Sequence, residues 1–269
     1  MPVGSGLTPT RELRLLEVLA APGPARGGGL SVAACVEASG IPRATCHRLL
    51  QVLAAAGYVQ HVARGRYALG WRAQMLGQAV AEASPLTGAV PILEALVART
   101  GQTAHLGVLH GPVAVYLACV DSRSSLRVAA RPGARIPLNV SAIGMALAAS
   151  LPERELEALV RGTRWQARTP VSLSEPEPLL AELRAVRRRG YAVDDRGYAL
   201  DVRCLAAPVR QPGGQALAAV GITGLASELA SDDAAAIAAV REAADRLTER
   251  AARQQPLDGG TSRCALVRR

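Results

Sequence analysis

The chain contains no lysine; all 31 of its basic residues are arginine. That bias, together with abundant alanine and glycine, reflects a GC-rich coding sequence, so the net charge of +9 is a weak guide to partners. No stretch reaches the roughly 18 uncharged apolar residues of a membrane span, which excludes a spanning helix. Residues Met1 to Thr10 lack the apolar core of a secretory leader. The five cysteines are an odd number and none is spaced C-x-x-C, which argues against a disulfide framework or a zinc ribbon and fits a reducing cytoplasm. The four histidines form no H-x-x-x-H pair, and no metal or cofactor is expected. There is no G-x-S-x-G elbow and no glycine-rich phosphate loop.

What is present is unevenly placed. Residues 1–72 hold eight arginines against three glutamates, net +5, whereas residues 73–253 hold twenty arginines against eighteen acids, net +2. A basic N-terminal module suits a polyanion. Residues 1–9 read as a disordered lead. Thr10 is placed to cap a helix with Leu13, Leu16 and Ala20 on one face. Pro22–Gly29 is a breaker-rich connection of unusual length. Ser31 caps a short helix through Ala38, and Gly40 ends it where a left-handed residue is needed. Pro42 opens the next helix at its first position. That helix runs to about Ala56, with Cys46, Leu49, Leu53 and Ala56 as its apolar stripe. Gly57 stops it, and strands at 58–62 and 66–69 flank the turn Ala63-Arg64-Gly65.

This order describes a winged helix-turn-helix over residues 10–70. A helix fits the major groove with its N-terminal residues deepest. Arg43, Thr45 and His47 are the candidates for base edges, Arg48 and Gln51 for phosphates or bases, and Arg64 and Arg66 on the wing for phosphates or the minor groove. The plainer alternative is a solvated face of an ordinary helical subdomain.

Residues 71–84 read as a linker helix with Met75, Leu76 and Ala79 apolar, and Pro85 marks a boundary. Residues 85–253 mix elements. A helix is expected at 88–100, followed by strands at 103–109 and 113–120 around His110-Gly111-Pro112. A further strand is expected at 126–130 and helices at 142–150 and 153–161. A Ser174–Glu177 capping box opens a helix running to Arg189. Strands at 202–209 and 216–223 follow, then a helix capped by Ser231 with Ile237, Val240, Ala244 and Leu247 inward. Residues 254–269 read as a disordered tail. The region is α+β with an antiparallel sheet.

The segment 29–70 resembles the DNA-binding half of the IclR (isocitrate lyase regulator) family, whose reading helix carries Pro, a basic residue, Thr and His/Tyr-Arg-Leu-Leu. Here that run is Pro42-Arg43-Ala44-Thr45-Cys46-His47-Arg48-Leu49-Leu50. Segments 127–150 and 189–224 are similar to the family's Pro-Leu-His-x-x-x-x-Gly-Lys-Ala and Gly-Tyr…Asp-Asp…Cys-x-Ala-Ala-Pro-Val stretches. The resemblance implies a GAF-like effector domain and a transcriptional regulator, a dimer or dimer of dimers on double-stranded operator DNA. The effector would be a small organic or aromatic acid. By position the pocket would include Val128, Ile136, Ala142, Ile143, Asp194, Cys204, Gly221 and Thr223.

The chain departs from the pattern at Met145, usually Lys, at Asn139, usually His, and at Gly221, where relatives can have Ser. The lost hydroxyl donor weakens a simple oxoacid and favours a larger or more apolar ligand. Plainer readings stand beside these: Cys204 as a small core residue, Asp194-Asp195 as a solvated turn, Arg187–Arg189 as cations at a helix end, and His105 and His110 as satisfied strand and turn residues. The rival functions are an enzyme built on Cys204, His105 and Asp194, and a DNA-binding protein without a ligand.

Overall fold

The computed structural model describes residues 10–21, 28–63, 65–124, 128, 130–211 and 213–254. The expected lead at 1–9, most of the 22–29 connection, Arg64 and the tail beyond 254 lie outside the described residues. The chain divides into two compact units, Met1–Thr87 and Gly88–Arg269.

The first unit holds α1 (Arg11–Ala20), α2 (Val32–Ser39), α3 (Arg43–Ala55), the hairpin β2 (Val59–Ala63) and β3 (Arg66–Leu69), and α4 (Trp71–Ala83). A two-residue strand, β1 (Leu30–Ser31), pairs with the free side of β3 and gives the order β1-β3-β2. The Ser31 hydroxyl accepts the Ala34 N–H at 3.2 Å and satisfies an orphan donor of α2. Gly40 takes φ 69°, a left-handed conformation that carries no side-chain penalty in glycine. Pro42 lies at the N-cap of α3, one residue before the position expected.

Cys46, Leu49 and Leu53 are buried as the stripe requires; Leu50 joins them, while Ala56 is half-buried at the C-cap. Helix α1 turns differently from expectation. Leu13 is 53% exposed, and Leu15 is buried with Leu16 and Leu19 beside it. Its leucines permit two stripes, and packing against α2, α3 and β3 selects the second. Thr10 makes no side-chain cap.

The second unit is a six-stranded sheet ordered β6-β5-β4-β9-β8-β7, antiparallel throughout. Its strands are β4 (Thr103–His110), β5 (Val113–Val120), β6 (Arg135–Pro137), β7 (Ala192–Asp195), β8 (Val202–Arg210) and β9 (Ala216–Leu225). Helices α5 (Val90–Thr100) and α9 (Ala234–Gln254) cover one face. The other face carries α6 (Ala142–Ala148), with α8 (Pro176–Arg189) packed on α6 and α7 (Glu153–Arg161) packed on α8. Every residue of α6 is buried. The fold class is therefore the expected one: helix-turn-helix with a wing, then α+β.

Three local expectations are corrected. Of the strand expected at 126–130, only Val128 and Ala130 are described, and neither is in a strand. The edge strand is β6, because the Arg131–Ala134 turn hands Tyr116 its hydrogen bonds: Gly133 N–H donates to Tyr116 O at 2.8 Å and Tyr116 N–H to Ala134 O at 3.0 Å. Helix α8 starts at Pro176 with no side-chain cap, so the Ser174–Glu177 box is not formed. Helix α9 is capped by Asp233, not Ser231; its Oδ1 accepts the N–H groups of Ala235 and Ala236, both at 3.0 Å.

Candidate functional site

Helix α3 presents Arg43, Ala44, His47, Arg48, Gln51 and Val52 to solvent, with Thr45 half-buried at the margin. The opposite face is held by Leu15, Cys35, Ile41, Val59 and Tyr67. The N–H donors and guanidinium groups of this helix thus stand clear of its core along one side. The wing is the expected hairpin, β2 paired with β3, and Arg66 also carries a structural tie. Arg66 Nε donates to Gly28 O at 2.8 Å and Gly29 O at 3.1 Å, which ties the segment before β1 to the hairpin. Arg72, at the start of α4, lies over the rings of Trp71 and Tyr58, with its guanidinium carbon 5.3 and 6.0 Å from their centroids. Sequence reading did not single out Arg72.

In the second unit, cross-strand register builds a polar row on the sheet face under α6. Asp194 pairs with Cys204, and Cys204 with Thr223. The Thr223 hydroxyl donates to Cys204 Sγ at 3.1 Å and lies 2.7 Å from His105 Nε2. Thr223 thus bridges the thiol and the imidazole, whose other ring nitrogen is Nδ1. That atom is buried and has no partner among the described residues. The His105 ring stacks on Tyr116, centroids 4.5 Å apart and planes 10° from parallel. Burial holds His105 neutral, its pKa lowered to about 4, and pushes the Cys204 thiol up to about 12.

Asp194 is 4% exposed, and no cation pairs with it among the described residues. Desolvation pushes its pKa up to about 6, although its Oδ2 accepts the Tyr198 N–H at 3.2 Å. A cavity of about 360 Å³ opens beside it. Asn139, Met145, Val171 and Leu173 line it with Asp194, as do Glu182, Arg189 and Tyr191. Of the eight pocket residues expected, Asp194 alone lines this cavity. Ala142, Ile143 and Cys204 belong to the buried cluster below, with Val128 and Ile136 packed against it, and Thr223 and Gly221 are buried on β9.

Two family descriptions match this chain. The IclR helix-turn-helix domain matches residues 8–63, and the bacterial transcriptional regulator IclR C-terminal domain matches residues 78–249. This chain belongs to the IclR family of transcriptional regulators. It is 34% identical over 203 residues to the regulator XynR of Escherichia coli, covering 72% of this chain and 77% of XynR. It is 32% identical over 227 residues to the E. coli repressor IclR, covering 83% and 81%. A solved transcriptional regulator from Rhodococcus sp. RHA1 superposes with a TM-score of 0.73 at 27% identity, over 90% of this chain and 98% of that one.

The departures from the IclR pattern acquire causes in the structure. A Cβ on Gly221 would sit 2.4 Å from Leu205 O and 3.0 Å from Ala206 Cβ, so backbone crowding disfavours a serine there. Asn139 spends its amide N–H groups on Gln166 O (3.2 Å) and Leu173 O (3.0 Å), fixing the 163–175 segment beside the cavity. Thr169 and Ser172 latch the same segment to the carbonyls of Arg196 and Gly197 at 2.8 and 2.7 Å. Arg187 bonds Ala149 O and Leu151 O, both at 2.7 Å, at the end of α6; its role is structural.

The Cys204–His105–Asp194 triad drawn from the sequence is not a nucleophile–base pair. Thr223 stands between sulfur and imidazole, and burial disfavours both thiolate and imidazolium. Strand parity would have placed His105 on this face, because it shares the register row of Gly221 and Cys119.

Proposed function

We propose that this IclR-family regulator reads operator DNA with the outer face of α3 and adjusts that binding to a small molecule held in its second unit. The observation that carries the reading is the two-sided α3. Arg43, His47, Arg48 and Gln51 are exposed over a buried Cys46–Leu49–Leu50–Leu53 stripe. Guanidinium and amide groups on a groove-sized helix match base edges and phosphates. Thr45 adds a hydroxyl at the margin. Arg64 and the terminal amines of Arg66 supply phosphate contacts from the wing.

The active species is a dimer or dimer of dimers in the cytoplasm. Supporting this, α4 buries no residue, and its Trp71, Met75, Leu76 and Val80 are 56–69% exposed. No helix among the described residues is long and apolar enough to cross a membrane. The protein acts by binding rather than turnover, and Asp194, Cys204, Thr223 and their neighbours form the sensing region.

Selection of binding sites from random duplex DNA, repeated with candidate metabolites, tests this. The expected result is one enriched palindromic motif whose affinity changes with a metabolite. Recovery of no motif at low salt would overturn the reading, and turnover abolished by Cys204→Ala would replace it with an enzyme.

A further inference from the structure

The end of α3 and the start of α4 share one set of backbone hydrogen bonds. Gly57, at φ 78°, donates its N–H to Ala54 O at 3.0 Å, and Tyr58 N–H donates to Leu53 O at 2.9 Å. That pattern closes the helix and fixes where the next carbonyls point. The entry to α4 takes up two of them. Tyr58 O accepts the Gly70 N–H at 2.7 Å, and Gly57 O accepts the Arg72 N–H at 3.1 Å. Gly70 is the N-cap of α4 and makes no side-chain cap, so the α3 terminus satisfies a first-turn N–H in its place. The joint is tight. A Cβ on Gly70 would sit 2.4 Å from Gly57 O and 3.0 Å from Val59 N, and a Cβ on Gly57 would sit 2.8 Å from Trp71 Nε1. The Arg72 guanidinium lies over Tyr58 on one side of the joint and Trp71 on the other, 6.0 and 5.3 Å from the ring centroids. Beyond the joint, α4 buries no residue.

A lever argument shows what such a joint controls. Helix α3 has 13 residues, a rod about 20 Å long, with Arg43 at the end far from Gly57. A tilt of about 10° at the joint would carry Arg43 about 3.4 Å, one base-pair step along a duplex. We infer that the Gly57–Gly70 joint, with Trp71 and Arg72 packed about it, is the positioning element that sets the spacing between operator half-sites. It does so by holding each reading helix at a fixed angle to α4. The inference rests on the regulator reading with α4 as the dimerising surface, and it names what makes that dimer selective for spacing. Gly70, Trp71 and Arg72 act through α3 and need touch no base.

Fluorescence anisotropy with the full-length protein tests it on three kinds of duplex: the palindrome selected from random DNA, the same palindrome with its centre lengthened or shortened by one base pair, and a single half-site. The parent protein is expected to lose at least about ten-fold in affinity on either altered centre. Gly70→Ala, which forces the joint apart, is expected to cut that penalty to about three-fold or less while single half-site affinity stays within about two-fold. Should Gly70→Ala fail to fold, Arg72→Ala, which removes the guanidinium and leaves the backbone bonds, decides by the same two readouts. Undiminished spacing discrimination in a folded variant overturns the assignment. So does a loss on the single half-site with discrimination intact, which would make the altered residue a DNA contact or a support of the local fold. The parent protein separates the two claims: no selected palindrome defeats the regulator reading, whereas a palindrome bound equally well at all three centre lengths defeats only the joint.

Discussion

Arg43 and Arg48 stand exposed in the first two turns of α3, where a groove-reading helix goes deepest. Arg43→Ala and Arg48→Ala are each expected to weaken operator binding by about 1–3 kcal/mol without changing the melting temperature, measured by fluorescence anisotropy at fixed salt. Full affinity in the double variant would remove α3 from the interface. Asp194 yields a prediction of opposite kind. Its buried carboxyl, pushed up to about 6 from 3.8, holds a proton more tightly folded than unfolded. Its contribution therefore turns against the fold as pH rises from about 4 through 6, and the deficit persists at neutral pH. Asp194→Asn is expected to exceed the parent protein in stability by about 1–3 kcal/mol at pH 7.5, with the advantage gone near pH 4. Denaturant melts at the two pH values check this, and equal stability at pH 7.5 would refute a desolvated carboxyl.

Among the elements, local rules worked where nothing competed with them. Ser31 and Gly40 bracket α2 as their chemistry demands, and Ser31→Ala is expected to cost about 1 kcal/mol in thermal unfolding. At α8 and α9 the rules met competitors. Pro176 sets the helical φ at the first position of α8, so the helix begins after Ser174. The Asp233 carboxylate accepts two N–H groups two residues downstream of Ser231. Helix α4 was legible as a helix, and its apolar residues are left uncovered. Leu76→Glu with Val80→Glu is expected to shift the protein from dimer to monomer in sedimentation velocity while the helix-turn-helix stays folded. A dimer that survives both changes would assign association to another surface.

At the scale of the molecule, binding to a polyanion is governed by counterion release, so the logarithm of operator affinity should fall linearly with the logarithm of salt concentration. Arg64→Ala is expected to lower that slope by about 1 and to weaken binding equally on all sequences. A change confined to one operator would make Arg64 a base reader instead.

The sequence by itself determined the helix-turn-helix, the helices and the four inner strands of the second unit, and the family, because caps, turn glycines and apolar periods act over a few neighbouring residues. Tertiary structure alone decided which strand closes the sheet edge at β6, why Gly221 has no room for a side chain, and that among the described residues His105 Nδ1 and Asn139 Oδ1 are buried without a partner. Those facts arise between residues far apart in the chain, such as His105 and Thr223, 118 positions apart yet 2.7 Å in contact. Local spacing carries no record of such a meeting, because it is fixed by strand register and by the burial that register imposes.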